Sequence, residues 1–99
     1  MSEIKVIIHA PTPDAVLRAR SNAANLLKAE PDAQVKIVVN ADGVVEAIND
    51  SSEMDSCTVF CSNSLKKHSL EAGDGHEVTP AGILLIVQLQ QQGWAYIRA

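Results

Sequence analysis

Residues 56–65 read SCTVFCSNSL, a short apolar run that ends in a cysteine and continues directly into Asn-Ser. The run holds β-branched, aromatic and small apolar residues, which are typical of a strand buried on both faces of a parallel sheet. Ser62 or Asn63 then provides a helix N-cap, and Ser64 to Lys67 continue as the first turn. The stretch therefore predicts a strand over 56–61 that leads straight into a helix, with Cys61 at the carboxyl end of the strand.

The rest of the sequence alternates between strand and helix patterns. Four more strands are predicted at 4–9, 34–40, 76–79 and 94–98, and further helices at 14–28, 44–48 and 81–92. Pro80 is expected at the first position of the last helix, and Gly93 at its left-handed stop. This alternation predicts a single α/β domain over residues 1–99, a three-layer α/β/α arrangement with a five-stranded, mostly parallel sheet.

Two further features of this sheet follow from composition. The strands at 34–40 and 56–61 are rich in β-branched and apolar residues, so we expect both to be fully buried. The polar residues 49–55 lie between a short helix and a strand, and we expect them to form the most mobile loop.

The charge balance argues against two classes of partner. The chain carries 12 acidic and 8 basic residues, a net charge of -4, with no run of either sign. Nucleic acids and anionic membranes, which attract basic surfaces, are therefore not expected as partners. The first ten residues, MSEIKVIIHA, lack the pattern of a secretory signal, which predicts a cytoplasmic protein. No phosphate-binding loop, dinucleotide fingerprint or Ser-His-Asp order is visible, so no cofactor is expected.

Cys57 and Cys61 are predicted to be thiols. Four residues along a strand span roughly 13 Å, beyond the roughly 7 Å limit for Cα atoms joined by a disulfide. The same separation argues against a zinc site built from the two cysteines with His68 and His76, because paired zinc ligands usually lie on a turn. We therefore expect no metal, and we expect Cys57, in the middle of the predicted strand, to be a packing residue.

Polar residues fall where the predicted strands end. His9, Asn40, Cys61 and Thr79 each lie at the carboxyl end of a strand, and open parallel sheets bind ligands along that edge. Four separated segments are thus predicted to converge on one rim. His9 is a candidate general base there, or else a structural histidine.

The start of the helix after Cys61 has both a functional and a structural interpretation. Asn40, Asn63 and Ser64 are candidate donors to an anionic ligand at this helix start, although capping and turn formation also explain them. Beside the positive end of a helix, Cys61 is favoured as a thiolate nucleophile that accepts sulfur from a donor and passes it on. The alternative is an inert cysteine of the core.

The last predicted helix is more apolar than packing on one sheet requires. Its apolar residues cover much more than one stripe, namely Ile83, Leu84, Leu85, Ile86, Val87 and Leu89. The strand that follows holds Trp94 and Tyr96, two of only three aromatic residues in the chain. Part of this surface should face another subunit, and we expect a homotrimer or a hexamer.

Several segments together resemble a known family. They are VIIHA (6–10), SNAANLL (21–27), VKIVVNADGV (35–44), VFCSNSL (59–65), VTPAGI (78–83) and QLQQQGWAYIRA (88–99). The sequence resembles the DsrE/DsrF-like family of small sulfur-handling proteins, in its single-domain subgroup of intracellular sulfur oxidation proteins. The resemblance implies a parallel five-stranded α/β/α fold, trimers or hexamers, and a cysteine at position 61 that carries a persulfide in sulfur-relay members.

Two functions are consistent with the sequence. The first is a sulfur-carrier or sulfurtransferase-like protein that holds a persulfide on Cys61 and exchanges sulfur with donor and acceptor proteins. The second is a module that binds a small anion, or serves in assembly, with no chemistry of its own. Intact mass after incubation with a sulfur donor separates the two, because only a carrier gains a sulfur atom.

Overall fold

The structure, a computed structural model, describes residues 3–99, and within this range the chain forms one five-stranded sheet in the order β4-β3-β2-β1-β5. Every neighbouring pair of strands is parallel. The strands are β1 (Lys5–Ala10), β2 (Gln34–Val39), β3 (Thr58–Cys61), β4 (Glu77–Thr79) and β5 (Ala95–Arg98). The predicted α/β class, with a parallel sheet between helical layers, is confirmed.

Helices connect the strands. They are α1 (Pro13–Ala29), α2 (Gly43–Asn49), a short 3-10 helix (Glu53–Cys57), α3 (Ser62–Lys67) and α4 (Gly82–Gln91). The start of α1 is set by Thr12, whose Oγ1 accepts a hydrogen bond of 3.1 Å from the backbone nitrogen of Ala15. Within residues 3–99, no helix is long and apolar enough to cross a membrane.

The two faces of the sheet are covered unequally. On one face the alternate residues Val6, Ile8 and Ala10 of β1 pack with α1, α2 and α3 in the larger apolar core. Small alanines on α1 let that helix approach the sheet closely; they are Ala15, Ala19 and Ala23. On the other face Ile7 and Val38 pack against Ile86 and Leu89 of α4. One helix, α4, therefore covers the second face of the sheet, and it begins at the carboxyl edge of the sheet.

The strand expected at 56–61 begins only at Thr58, so the prediction that Cys57 lies within a strand is wrong. Cys57 is the last residue of the 3-10 helix. Ser52 caps this helix: its Oγ accepts from the Met54 backbone nitrogen at 3.1 Å, and its own backbone nitrogen donates to Asp55 Oδ2 at 3.2 Å. These local bonds compete with the ladder of a strand, and the segment expected as a loop contains the start of this helix.

The burial of β2 and the start of the last helix also differ from expectation. All four residues of β3 are buried, as expected, but β2 is not fully buried, because Gln34 is exposed and Lys36 is half-buried. The Lys36 Nζ reaches Glu77 Oε1 at 3.7 Å on the same face of the sheet.

Pro80 was expected to open α4, yet Ala81 is the N-cap and the helix begins at Gly82. Gly93 has φ +92 after α4, so the left-handed stop is confirmed.

Gly43 brings the loop after β2 against the loop after β1. A β-carbon at this position would overlap the carbonyl oxygen of Ala10. The Gly43 backbone nitrogen donates to the carbonyl oxygens of Asn40 at 2.9 Å and of Pro11 at 3.2 Å. Only glycine allows this close approach, and the approach fixes the turn that leaves the carboxyl end of β2.

Candidate functional site

Three of the predicted rim residues lie side by side at the carboxyl edge of the sheet. Cys61 pairs with Thr79 in the register of β3 and β4. Asn40 directly follows Val39, whose partner in β3 is Phe60, so Asn40 lies beside Cys61. The three residues face the same side of the sheet as α4, because residues in register on parallel strands point the same way. His9 lies one step behind this row, paired with Val38.

The first turn of α4 packs directly on this row through Gly82. A β-carbon on Gly82 would lie 3.4 Å from the Cys61 β-carbon and 3.5 Å from the Asn40 β-carbon. Cys61 and Asn40 are therefore immediate neighbours, with the backbone of Gly82 between them. The backbone of Gly82 hydrogen-bonds to the Cys61 sulfur from this position.

Opposing effects act on the Cys61 thiol, which is only 5% exposed. Burial raises its pKa, because an apolar surrounding disfavours the thiolate. Hydrogen bonds from the Ser64 hydroxyl and from the backbone of Gly82, Ser64 and Asn63 act in the other direction. Together they outweigh burial, so the pKa of Cys61 lies below its ordinary value of 9.0. The starts of α3 and α4 thus converge on one sulfur atom.

Ser64 is held in place by a strained residue of the neighbouring turn. The Ala41 backbone nitrogen donates to Ser64 Oγ at 2.7 Å, and Ala41 has φ 49, in the left-handed region. That conformation costs an alanine about 1 kcal/mol or more. Because the Ser64 oxygen already accepts from Ala41, its hydrogen is free to be donated to the Cys61 sulfur.

The N-cap of α3 differs from expectation. Cys61 itself is the N-cap, and it makes no side-chain capping bond. Ser62 and Asn63, which were expected to cap, lie inside the first turn of the helix. The expected capping role is therefore wrong for both. Ser64 instead bonds across to the turn after β2, which ties α3 to the neighbouring loop.

Cys57 has the opposite surroundings. It is half-buried at the end of the 3-10 helix, and its Sγ donates to the carbonyl oxygen of Met54 at 3.3 Å. Burial is the largest influence and raises the pKa of the Cys57 thiol above its ordinary value. Backbone hydrogen bonds from Cys57 itself and from Ile37, and the charge of Lys36, act in the other direction, but they do not outweigh burial.

His9 has both ring nitrogens engaged. Its Nε2 lies 2.8 Å from Asn40 Oδ1, and its Nδ1 lies 2.6 Å from the Tyr96 hydroxyl. The His9 and Tyr96 rings tilt against each other at 49°, with centroids 5.7 Å apart. His9 therefore reaches the Cys61 row through Asn40. The sequence pattern did not identify Tyr96 as a site residue, because its neighbour depends on the pairing of β5 with β1, which the chain order does not reveal.

A groove lies beside the row, between α3 and the edge strand β4. It has a volume of 390 Å³ and is lined by Ser62, Asn63, Lys66, Val78, Thr79 and Pro80. An adjoining cavity of 460 Å³ shares Ser62, Lys66 and Val78 with it. The groove unites the predicted residues Asn63 and Thr79, and it adds Lys66, which sequence reasoning missed. Its position one helical turn after Ser62 on α3 would have been the available signal.

The residues weighed for zinc are engaged elsewhere. His68 Nε2 lies 3.2 Å from Asp42 Oδ1, and His76 stacks on Phe60 with ring centroids 4.7 Å apart. The His76 Nδ1 accepts a hydrogen bond of 2.9 Å from the Gly73 backbone nitrogen. Among residues 3–99, no group of three or more histidine, cysteine or acidic side chains is arranged to hold a metal ion.

Comparison with known proteins bears on the fold of this chain. No protein-family model matches the chain. No curated protein matches it either. The fold is similar to the solved structure of a protein of unknown function, MTH1491 from Methanobacterium thermoautotrophicum, with a TM-score of 0.82 and 27% sequence identity. The match covers 98% of this chain and 100% of the other. The two proteins therefore share an architecture over the matched residues, and the function has to be argued from the site.

Proposed function

We propose that this protein is a DsrE/DsrF-like sulfur carrier, or sulfurtransferase-like protein, that holds a persulfide on Cys61. The observation that carries the proposal is the position of Cys61, which is the N-cap of α3 and packs against Gly82 at the start of α4. There the Ser64 hydroxyl and the backbone of Asn63, Ser64 and Gly82 lower the pKa of its thiol. Donors of this kind stabilise a thiolate, and the thiolate is the form that attacks sulfur. They are equally suited to a persulfide anion at the same position.

The chemistry needs only a donor with a sulfane sulfur and an acceptor thiol. The Cys61 thiolate attacks the sulfane sulfur of a donor such as thiosulfate and forms a new S–S bond. The S–S bond of the donor breaks, and sulfite leaves with the electron pair. An acceptor thiolate then attacks the outer sulfur of the Cys61 persulfide, and the Cys61 thiolate leaves. No external oxidant or reductant is consumed in either transfer.

The cellular setting proposed for this chemistry is the cytoplasm, with separate donor and acceptor proteins. Two free thiols, Cys57 and Cys61, suit a reducing compartment. Cys61 is 5% exposed, so a protein partner would need the surrounding turns to move slightly in order to reach the sulfur. A donor the size of thiosulfate requires less movement of these turns than a protein partner does. Small donors are therefore the first to test.

We also propose that the chain assembles as a homotrimer or hexamer through α4. Ile83, Leu84 and Val87 on the outer side of this helix are 64%, 52% and 42% exposed. Exposed apolar residues this close together favour an interface between subunits. Leu84→Glu or Ile83→Glu should lower the mass measured by light scattering, and a wild-type mass equal to one chain would contradict the proposal.

A second candidate function is a module that binds a small anion without chemistry. The groove between α3 and β4 favours it, because Ser62, Asn63, Lys66 and Thr79 bring hydroxyl, amide and ammonium donors into 390 Å³. In this function the acidity of Cys61 would be incidental to what the rim binds.

The two functions separate in one experiment. The reduced wild-type protein and Cys61→Ser are incubated with thiosulfate, and intact mass is measured before and after a thiol reductant is added. A carrier gains one sulfur atom that the reductant removes, whereas Cys61→Ser gains none. Cys57→Ser is the matched control and should still gain sulfur. Wild-type protein that binds thiosulfate at equilibrium yet never gains mass would favour the binding module.

A further inference from the structure

A chain of hydrogen bonds leads from the edge strand β5 to the row that holds Cys61. It runs from the Tyr96 hydroxyl to His9 Nδ1, at 2.6 Å, and from His9 Nε2 to Asn40 Oδ1, at 2.8 Å. The hydrogen bonds connect three strands, because Tyr96 lies in β5, His9 lies in β1 and Asn40 follows β2. Parallel register places the three side chains on the face of the sheet that α4 covers. This series of hydrogen bonds therefore ends at Asn40, beside Cys61.

The contacts of His9 fit the tautomer with its hydrogen on Nε2, because the carboxamide oxygen of Asn40 only accepts, whereas a tyrosine hydroxyl can donate to Nδ1. A tyrosine hydroxyl that donates to Nδ1 leaves the neutral imidazole with its hydrogen on Nε2. Nε2–H then donates to the oxygen of the Asn40 carboxamide. With that oxygen bound to His9, the NH₂ group of Asn40 is turned away from the histidine. Within residues 3–99 no protein atom accepts a hydrogen bond from this NH₂ group, and the group is not fully buried.

Asn40 and Thr79 are the two polar neighbours of Cys61 in the row, and Asn40 shares with Cys61 the contact to the start of α4. The β-carbons of Asn40 and Cys61 both lie within 3.5 Å of one point beside Gly82. An amide donor with no protein partner, beside a nucleophilic sulfur, favours an anionic substrate.

We propose that Tyr96 and His9 are positioning residues that hold Asn40 as a hydrogen-bond donor to the anionic part of a small sulfur compound bound at Cys61. The substrate class is thus a small anion that carries its transferable sulfur close to its charge. His9 acts through Asn40 and takes no proton from the thiol. The identity of the substrate rests on the proposed sulfur-carrier function, whereas the preference for anions is a property of the site that needs no sulfur chemistry to measure.

Two alkylating agents of similar size measure that preference. Iodoacetate carries a carboxylate and iodoacetamide is neutral; with either, the Cys61 thiolate attacks the CH₂ carbon and iodide leaves with the electron pair. The ratio of the iodoacetate rate to the iodoacetamide rate at Cys61 cancels thiolate population and access. Glutathione, with an unconstrained thiol, gives the reference ratio. We expect the wild-type ratio to exceed that of glutathione by about tenfold, since one charge-assisted hydrogen bond has this effect.

Variants test each hydrogen bond in the series from Tyr96 to Asn40. Asn40→Asp replaces the donor by a carboxylate and should bring the ratio to or below that of glutathione. Asn49→Asp, at the end of α2, adds the same charge away from the site and should leave the ratio unchanged. Tyr96→Phe lets His9 carry its proton on Nδ1, so that Asn40 can turn its NH₂ group toward Nε2. The ratio should fall several-fold, while the iodoacetamide rate changes less than twofold.

Two controls separate this role from a merely structural one. Ser56→Ala removes a hydroxyl bonded to the Glu53 carbonyl oxygen at 3.3 Å, below the opposite end of β3, and should leave the ratio at its wild-type value. Cys57 should stay unlabelled in every variant, which shows that each remains folded. A wild-type ratio equal to that of glutathione, an unchanged ratio in Tyr96→Phe, or equal effects of Asn40→Asp and Asn49→Asp would each overturn the proposal. Protein that prefers iodoacetate yet gains no sulfur from thiosulfate would contradict only the sulfur-carrier function.

Discussion

Cys57 and Cys61 are four residues apart, yet their surroundings act on the two sulfur atoms in opposite directions. At Cys57, burial raises the pKa, and the thiol donates to a carbonyl oxygen one turn earlier. At Cys61, burial also raises the pKa, but a serine hydroxyl and backbone groups from the starts of two helices lower it by more. The comparison shows that burial alone does not decide the character of a cysteine. What decides it is whether the hydrogen bonds to the sulfur outweigh burial, as they do at Cys61 and do not at Cys57.

The difference comes from the two ends of one strand. Parallel strands collect loops and helix starts at their carboxyl ends, where backbone N–H groups are unpaired. Cys61 occupies that end of β3, whereas Cys57 precedes the amino end. Changes that disturb the carboxyl end should therefore alter Cys61 and leave Cys57 as it is, unless they unfold the protein.

The largest expected effect is a loss of stability of the whole fold, which would also remove the difference between the two cysteines. Gly43→Ala places a β-carbon against the carbonyl oxygen of Ala10, and backbone atoms there have little room to move. We expect the free energy of unfolding to fall by about 3 kcal/mol, measured by urea denaturation. Gly93→Ala is the matched control, because Gly93 has a positive φ but open space around it, and it should cost about 1 kcal/mol. Equal losses in the two variants would show that the overlap at Gly43 is easily relieved.

The next effect is confined to Cys61. Ser64→Ala removes the hydroxyl that donates to the sulfur, so the pKa of Cys61 should rise and its thiolate population near neutral pH should fall. We expect the iodoacetamide rate at Cys61 to drop about tenfold, because hydrogen bonds to charged groups are worth about 1.5–3 kcal/mol. The rate at Cys57 should not change. Ser56→Ala, which removes an exposed hydroxyl near Cys57, should alter neither rate by much; an unchanged rate in Ser64→Ala would remove Ser64 from the account.

The stability of the protein at alkaline pH should distinguish the cysteines by sign. The pKa of Cys61 is lower in the folded protein than its ordinary value of 9.0, so the unfolded chain binds more protons between those two values. Relative to Cys61→Ser, the wild type should therefore gain stability as pH rises toward 9.0 and lose this advantage as pH falls through the folded pKa. For Cys57, whose folded pKa is raised, the wild type should lose stability relative to Cys57→Ser as pH rises above 9.0. Urea denaturation across this pH range measures both slopes, and slopes of the same sign would contradict the comparison.

The smallest effect separates access to the sulfur from its acidity. Gly82→Ala adds a methyl group 3.4 Å from the Cys61 β-carbon, at the distance of ordinary contact, and keeps the backbone N–H. The labelling rate of Cys61 should fall by less than in Ser64→Ala, while the pH midpoint of labelling stays at its wild-type value. A shifted midpoint would mean that the methyl group displaces the start of α4 from the sulfur.

Local pattern was enough to predict the strands and their common direction. Strands that alternate with helices favour a parallel sheet, because parallel neighbours need a helical crossover, and parallel strands bring His9, Asn40, Cys61 and Thr79 to one edge whatever their order. What the pattern could not supply was strand order. The contact between Tyr96 and His9 exists because β5 lies next to β1, and no local feature of either segment specifies that pairing.

The errors near Cys57 have a local cause. The sequence 56–61 is apolar enough for a strand, but Ser52 and Asp55 form a capping box just before it. That box starts a 3-10 helix that extends to Cys57, so polar residues upstream overrode the apolar pattern. The role of Ser64 was similarly hidden, because a serine in a first helical turn reads as capping until the turn at Ala41 is placed beside it.

One measurement tests the central claim that Cys61 is the reactive thiol of this protein. The native protein is labelled with iodoacetamide at a series of pH values, and the extent at each cysteine is read by peptide mass mapping, with Cys61→Ser as the control for assignment. We expect Cys61 to react in the folded protein, with a rate that persists at pH values below its ordinary pKa of 9.0, and Cys57 to react only after unfolding. Slow and equal labelling of the two cysteines across this pH range would contradict the account and leave Cys61 as a residue of the core.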